Sequence, residues 1–155
     1  MLNFEKLLVL LLAAGTHVLS YGPFGDRSIR GVNLGGWLVL EKWITPSVFN
    51  GLPENVTDEW RLCEYLGRSE AEKRLRSHWD RWVTESDIAT LKKAGIDHLR
   101  IPFGYWALEP RAGEPYVQGS WDYVMKAVRW AKKYDMKVMI DLHGAPGSQV
   151  ILLFP

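Results

Sequence analysis

Residues 84–102, TESDIATLKKAGIDHLRIP, carry the pattern that decides the fold. Thr84 with Asp87 three residues on has the form of a capping box, which opens a helix running through Lys93, and Gly95 suits its stop. The chain then passes directly into an apolar strand, Asp97 to Ile101, ended by Pro102. Upstream, residues 29–34, IRGVNL, read as a short buried strand closed by the Gly35-Gly36 breaker pair. Residues 46–57 read as a loop, followed by helical periodicity over 58–66 and 69–82. Downstream, a loop runs to Gly119. Ser120 caps a helix from Trp121 to Lys133, whose Lys132 and Lys133 complement the helix dipole. Lys137 to Leu142 is a third strand. Strands alternating with helices of this length indicate βαβ units around a parallel sheet, the α/β class.

Strand parity separates two faces. His98 and Arg100 share one face of the second strand, while Leu99 and Ile101 share the other and are expected to meet helices. In the third strand Met139, Asp141 and His143 alternate with Val138, Ile140 and Leu142; in the first, Gly31 and Asn33 point together. Three strands leave edges unpaired, so exposed apolar surface and poor solubility are expected.

Nineteen basic and eighteen acidic residues leave a net charge of +1, which argues against nucleic acid or an anionic membrane as partner. Residues 1–20 read as a secretory signal peptide: Lys6 precedes an apolar run from Leu7 to Ala14, and Ser20 closes the segment. That run is shorter than the roughly 20 apolar residues a membrane span requires. A secreted chain, extracellular or in the cell wall, is expected. Asn55-Val56-Thr57 is an N-glycosylation acceptor, expected on a surface loop. Cys63 is the single cysteine, which suggests a partner elsewhere. The chain has eight tryptophans, residues suited to stacking on sugar rings. Trp79, Trp82 and Trp130 lie in helical patterns and are expected in the core.

Polar residues at the C-terminal ends of parallel strands are where barrel enzymes keep their sites, and Arg100 and His143 are the candidates. Arg100 could hold a carboxylate ionised, or form a structural salt bridge with Asp97 or Asp141. His143 could bond a sugar hydroxyl or fix the Ala145-Pro146-Gly147 turn. The four histidines have no metal-ligand spacing. The glycines form neither a phosphate loop nor a dinucleotide fingerprint. What remains is carboxylate chemistry, for which glycoside hydrolysis needs an opposed pair. The sequence pairs Glu41 with no second carboxylate, and Glu109 and Glu114 read as solvated turn residues.

Residues 30–41, RGVNLGGWLVLE, together with 43–49, WITPSVF, resemble the N-terminal signature of the fungal exo-1,3-β-glucanases of glycoside hydrolase family 5. Residues 58–67, DEWRLCEYLG, 99–106, LRIPFGYW, and 141–149, DLHGAPGSQ, are similar to the blocks that follow in that family, in the same order. The resemblance implies a (β/α)8 TIM barrel with its first three βα units in this chain. It implies an exo-1,3-β-glucosidase that releases glucose from the non-reducing end of 1,3-β-glucan with retention, uses two glutamates and no cofactor, and is monomeric. Carried over by position, Glu41 resembles the family's contact to the terminal glucose hydroxyls. Arg100 resembles the arginine beside the nucleophile, and His143 a histidine of the innermost sugar subsite.

After Gln149 the family continues with a polar Asn-Gly-rich segment, whereas residues 150–155 read VILLFP. The expected organisation is a signal peptide over 1–20, the N-terminal part of a catalytic barrel over 21–149, and a divergent apolar tail over 150–155, as a shifted reading frame or retained intron would give. Neither the acid/base nor the nucleophile block is present, so the chain alone is expected to be inactive. Two other readings stay open: a non-catalytic glucan-binding or partner-binding product, and a related 1,6-β-glucanase.

Overall fold

The structure, a computed structural model, describes residues 28–146. The signal peptide expected over 1–20 and the divergent apolar tail expected over 150–155 lie outside the described residues. Strand β1 (Gly31–Asn33) leads into a loop with a 3₁₀ turn at Pro46–Phe49, then helix α1 (Glu59–Trp82) and helix α2 (Glu85–Lys93). Strand β2 (His98–Gly104), a second 3₁₀ turn at Tyr105–Ala107, helix α3 (Ser120–Lys133) and strand β3 (Lys137–Gly144) follow. The sheet is parallel throughout, in the order β1-β2-β3. This is the opening of a doubly layered α/β arrangement, as strands linked by helices dictate.

Local chemistry sets most boundaries. Asp58 caps α1, accepting from the Arg61 N–H at 2.9 Å, and Gly67 (φ 70°) breaks the helix between its two expected segments. The Thr84–Asp87 capping box forms as the sequence suggests, and Gly95 (φ 86°) ends the passage from α2. Helix α3 differs: its N-cap is Gly119 in the left-handed region (φ 112°), and Ser120 lies inside the helix, its buried hydroxyl without a partner. The glycine wins the cap position because the incoming loop arrives with a positive φ that serine resists.

Strand β2 continues through Pro102 to Gly104 instead of ending there. Even-numbered residues of β2 bond towards β1: His98 N donates to Arg30 O at 3.1 Å, and Leu34 N donates to Arg100 O at 2.9 Å. Pro102 shares that parity. Its missing N–H falls at the rung after Leu34 N to Arg100 O, where β1 ends, while β3 keeps pairing β2 on the other side.

The core fills the space between the outer sheet face and the helices. Leu99 and Ile101 are completely buried, as parity requires, against Leu62, Leu75, Trp79, Ile88 and Val124. Burying each such side chain contributes roughly 2 kcal/mol. From α3, Val124, Ala127 and Ala131 join at helical spacing. Two expectations need correcting. Strand β1 is largely exposed, because it forms one edge of the sheet. Trp82 is exposed, while Trp79 is fully buried and Trp130 packs partly buried against the core. The Trp82 ring lies at the last position of α1, where its N–H reaches out to Gly35 O at 3.0 Å. Ile140 (46% exposed) and Leu142 (52%) on the other edge strand, β3, are open, in keeping with the exposed apolar surface expected at unpaired edges.

Candidate active site

The site is built on the C-terminal ends of the three strands. Between β1 and the first 3₁₀ turn the chain folds back tightly: the Glu41 carbonyl accepts from the N–H groups of Ile44 (2.8 Å) and Thr45 (2.9 Å). This turn presses Ile44 and Thr45 against Gly36, whose φ is 66° and whose absent Cβ would lie 2.9 Å from the Ile44 side chain. The Glu41 carboxylate returns over the loop to accept from Gly36 N at 3.3 Å. A Cβ on Gly35 would lie 3.1 Å from the Asn33 amide nitrogen and 3.5 Å from Glu41 Oε1, so these two side chains flank the same glycine.

Arg100 is the hub. One guanidinium nitrogen donates to Asn33 Oδ1 at 2.8 Å, and the other to Asp141 Oδ2 at 2.7 Å. His143 Nδ1 lies 3.1 Å from the same Asp141 oxygen and 3.4 Å from the guanidinium. An Nδ1–H donated to the carboxylate fits this arrangement, since the guanidinium has no lone pair to accept it; the tautomer follows from the network. That leaves Nε2 as an acceptor for a ligand hydroxyl. The Arg100 side chain is 37% exposed, His143 30% and Asp141 25%, which is open enough for contact with a ligand.

Of the expected site residues, Arg100 and His143 come together, with Glu41 on the adjoining loop beside Asn33. The salt-bridge alternative for Arg100 resolves towards Asp141. Asp97 instead accepts from Arg30 N and pairs with His98, whose hydrogen bond holds the Asp97 carboxyl below its usual range. Asn33 and Asp141 complete the cluster. Asp141, two residues before His143 and on the same strand face, could have been assigned by parity. Asn55 is exposed on the loop before α1, as expected.

One expectation fails. Glu114 is not a solvated turn residue: it accepts from the Tyr105 hydroxyl and from Arg111 N, tying its loop to the second 3₁₀ turn, whereas Glu109 is exposed. Cys63 is 2% exposed in the core, and burial pushes its thiol up to about 12. Sequence reading also missed Glu59, a carboxyl 4% exposed that accepts from Trp106 Nε1 at 2.9 Å, with burial raising it to about 8.

Chemically, the cluster is a hydrogen-bonding floor: a fixed cation, an imidazole, an amide and a carboxylate, suited to a polyol. The Asp141 carboxylate is neutralised by Arg100, and Glu41 bonds its own loop. Among the described residues no group of three His, Cys, Asp or Glu could hold a metal ion, and no helix is long and apolar enough to cross a membrane.

The sequence profile of Cellulase (glycosyl hydrolase family 5) matches residues 66–150, more than half of the chain. This chain belongs to glycosyl hydrolase family 5. Its relatives include the probable glucan 1,3-beta-glucosidase A of Aspergillus niger, 54% identical over 126 residues, covering 81% of this chain and 30% of the relative. The glucan 1,3-beta-glucosidase of Pichia angusta is 48% identical over 149 residues, covering 94% of this chain and 34% of the relative. The family 5 chain thus spans about a third of these relatives' length. Among solved structures, the rutinosidase from Aspergillus niger superposes with a TM-score of 0.73 at 35% identity, over 83% of this chain and 36% of that one. The parallel strands and helices of residues 28–146 are accordingly part of a family 5 (β/α)8 barrel.

Proposed function

We propose that this family 5 chain provides the innermost sugar-binding floor of a secreted retaining exo-1,3-β-glucosidase acting on cell-wall 1,3-β-glucan, and that bond cleavage requires carboxylates it does not provide. The observation that carries this reading is the Arg100 cluster. Asn33, Arg100, Asp141 and His143 converge from three adjacent strands at their C-terminal ends, with Glu41 alongside. Glu41 and His143 contact hydroxyls of the terminal glucose, and Arg100 holds a neighbouring carboxylate ionised. Retaining hydrolysis needs a nucleophile and a protonated acid opposed across the bond. The described carboxyl that burial raises, Glu59, is enclosed and contacts an indole, so it cannot serve as that acid.

Two assays test the proposal. The chain alone, given laminarin, is expected to release no glucose; turnover with contaminating hydrolase excluded would overturn that half. A chimera in which residues 28–146 replace the matching segment of one of the glucosidase relatives is expected to release glucose from laminarin. Unchanged kcat/KM on substituting Glu41, Arg100 and His143 in that chimera would remove the assignment of the floor. Comparing laminarin with a 1,6-β-glucan in the same chimera separates the two linkage readings.

A further inference from the structure

Trp106 is 3% exposed and links three distant parts of the chain. Its N–H donates to Glu59 in the first turn of α1, and one ring face stacks on Tyr116 at 4.2 Å and 3°. Its six-membered ring occupies the space where a Cβ on Gly104 or on Gly144 would stand. Those glycines are the last residues of β2 and β3. Gly144 directly follows His143, and Gly104 pairs with it across a register shift. The indole is therefore a wedge between two strand ends, and its direction is set by one carboxyl oxygen.

We propose that Glu59 is a positioning residue: its buried carboxyl anchors Trp106 against Gly104 and Gly144, and so fixes the strand ends that present Arg100 and His143. This rests on reading those ends as the sugar-facing floor, and it concerns a residue outside that floor. Packing alone would not require a carboxyl here. Burial encloses this carboxyl between Trp106 and the Leu40 backbone, with Oε2 otherwise unpartnered, so gain or loss of a proton changes the acceptor that Trp106 feels more than it would in water. The ionisable groups facing Glu59 do not neutralise it. They are Asp58 and Cys63 on its own helix and Tyr116 from the loop before α3, with Tyr105 and Glu114 behind Tyr116. Arg61, the nearby cation, is engaged by Asp58 and Thr57.

The test uses the full chain labelled with ¹⁵N at tryptophan and glycine, titrated through the region around pH 8 where Glu59 changes charge. The Trp106 indole signal and the Gly104 and Gly144 amide signals are expected to shift together with one midpoint. Glu59→Gln, which keeps an acceptor but cannot ionise, is expected to abolish that shared step. Glycine signals that stay still while the indole moves, an indole that does not titrate, or a step that survives Glu59→Gln would each overturn the proposal. Should Glu59→Gln not fold, Trp106→Phe replaces it. It removes the donor and keeps an aromatic wedge, so the glycine step should shrink, and an unchanged step counts against the proposal. No sugar is used, so this test and the glucan reading can fail separately.

Discussion

Arg100 and Asp141 form a 2.7 Å ion pair across neighbouring parallel strands, offset so that Arg100 lies beside Met139 and Asp141 beside Pro102. The guanidinium therefore leans towards the C-terminal end of the sheet, where the pair also gathers Asn33 and His143. Asp141→Asn keeps the volume and removes the charge. In the glucosidase chimera it is expected to lower kcat/KM on the order of 100-fold, because Arg100 and His143 both lose their orientation. Its effect on stability should be about 1 kcal/mol or less, since the pair is partly exposed. Steady-state kinetics and a urea melt of the same variant separate the two.

Gly36 tests the loop that carries Glu41. At φ 66°, and with Ile44 within 2.9 Å of any added Cβ, Gly36→Ala meets both a backbone penalty and a steric one. The left-handed conformation alone costs about 1–2 kcal/mol. Chemical denaturation of Gly36→Ala should show at least that loss, with Gly51→Ala, which has no atom within 4 Å, as the milder control at φ 76°.

Glu59 ties stability to pH with a definite sign. Its carboxyl is raised from 4.5 to about 8 in the folded chain, so between those values the native state holds a proton that the unfolded state has released. Stability then falls as pH rises through this window. A loss of a few kcal/mol is expected, because each tenfold difference in proton affinity between the folded and unfolded chain corresponds to about 1.4 kcal/mol. Urea midpoints measured from pH 5 to pH 8 should decline in the native chain and be flatter in Glu59→Gln.

Asn55 lies on an exposed turn between the first 3₁₀ turn and α1, next to buried Val56. If the chain is secreted, expression through a eukaryotic secretory pathway should add a glycan there. Mass spectrometry should show a peptide shift that disappears in Asn55→Gln. An unmodified secreted chain would count against this site.

Much of the fold is local and was therefore legible in sequence. The capping box at Thr84, the break at Gly67 and the parity of Leu99 and Ile101 depend on neighbours within a few residues, and all three appear in the structure. The meeting of Arg100 and His143 also followed from parity, because both lie on the same face of the sheet. What escaped depends on partners far along the chain. Trp82 has helical spacing yet lies at the last position of its helix, its indole bonded to Gly35 O far along the chain. Glu59 reads as an ordinary acid in a first helical turn, and only the arrival of Trp106, 47 residues later, turns it into an enclosed one.

Pro102 gives the sheet an uneven rim. Strand β1 leaves after Leu34 and meets β2 again only at the Leu38–Phe103 bridge, so Gly35, Gly36 and Trp37 arch away beside a residue that has no donor to leave unanswered. Through this gap the chain passes into the loop that sets Glu41 near Asn33, the partner of the guanidinium. Strand β2 outlasts β1 because β3 goes on pairing with it, through Pro102 and Phe103 to Gly104, so a residue usually regarded as a strand breaker sits inside a strand.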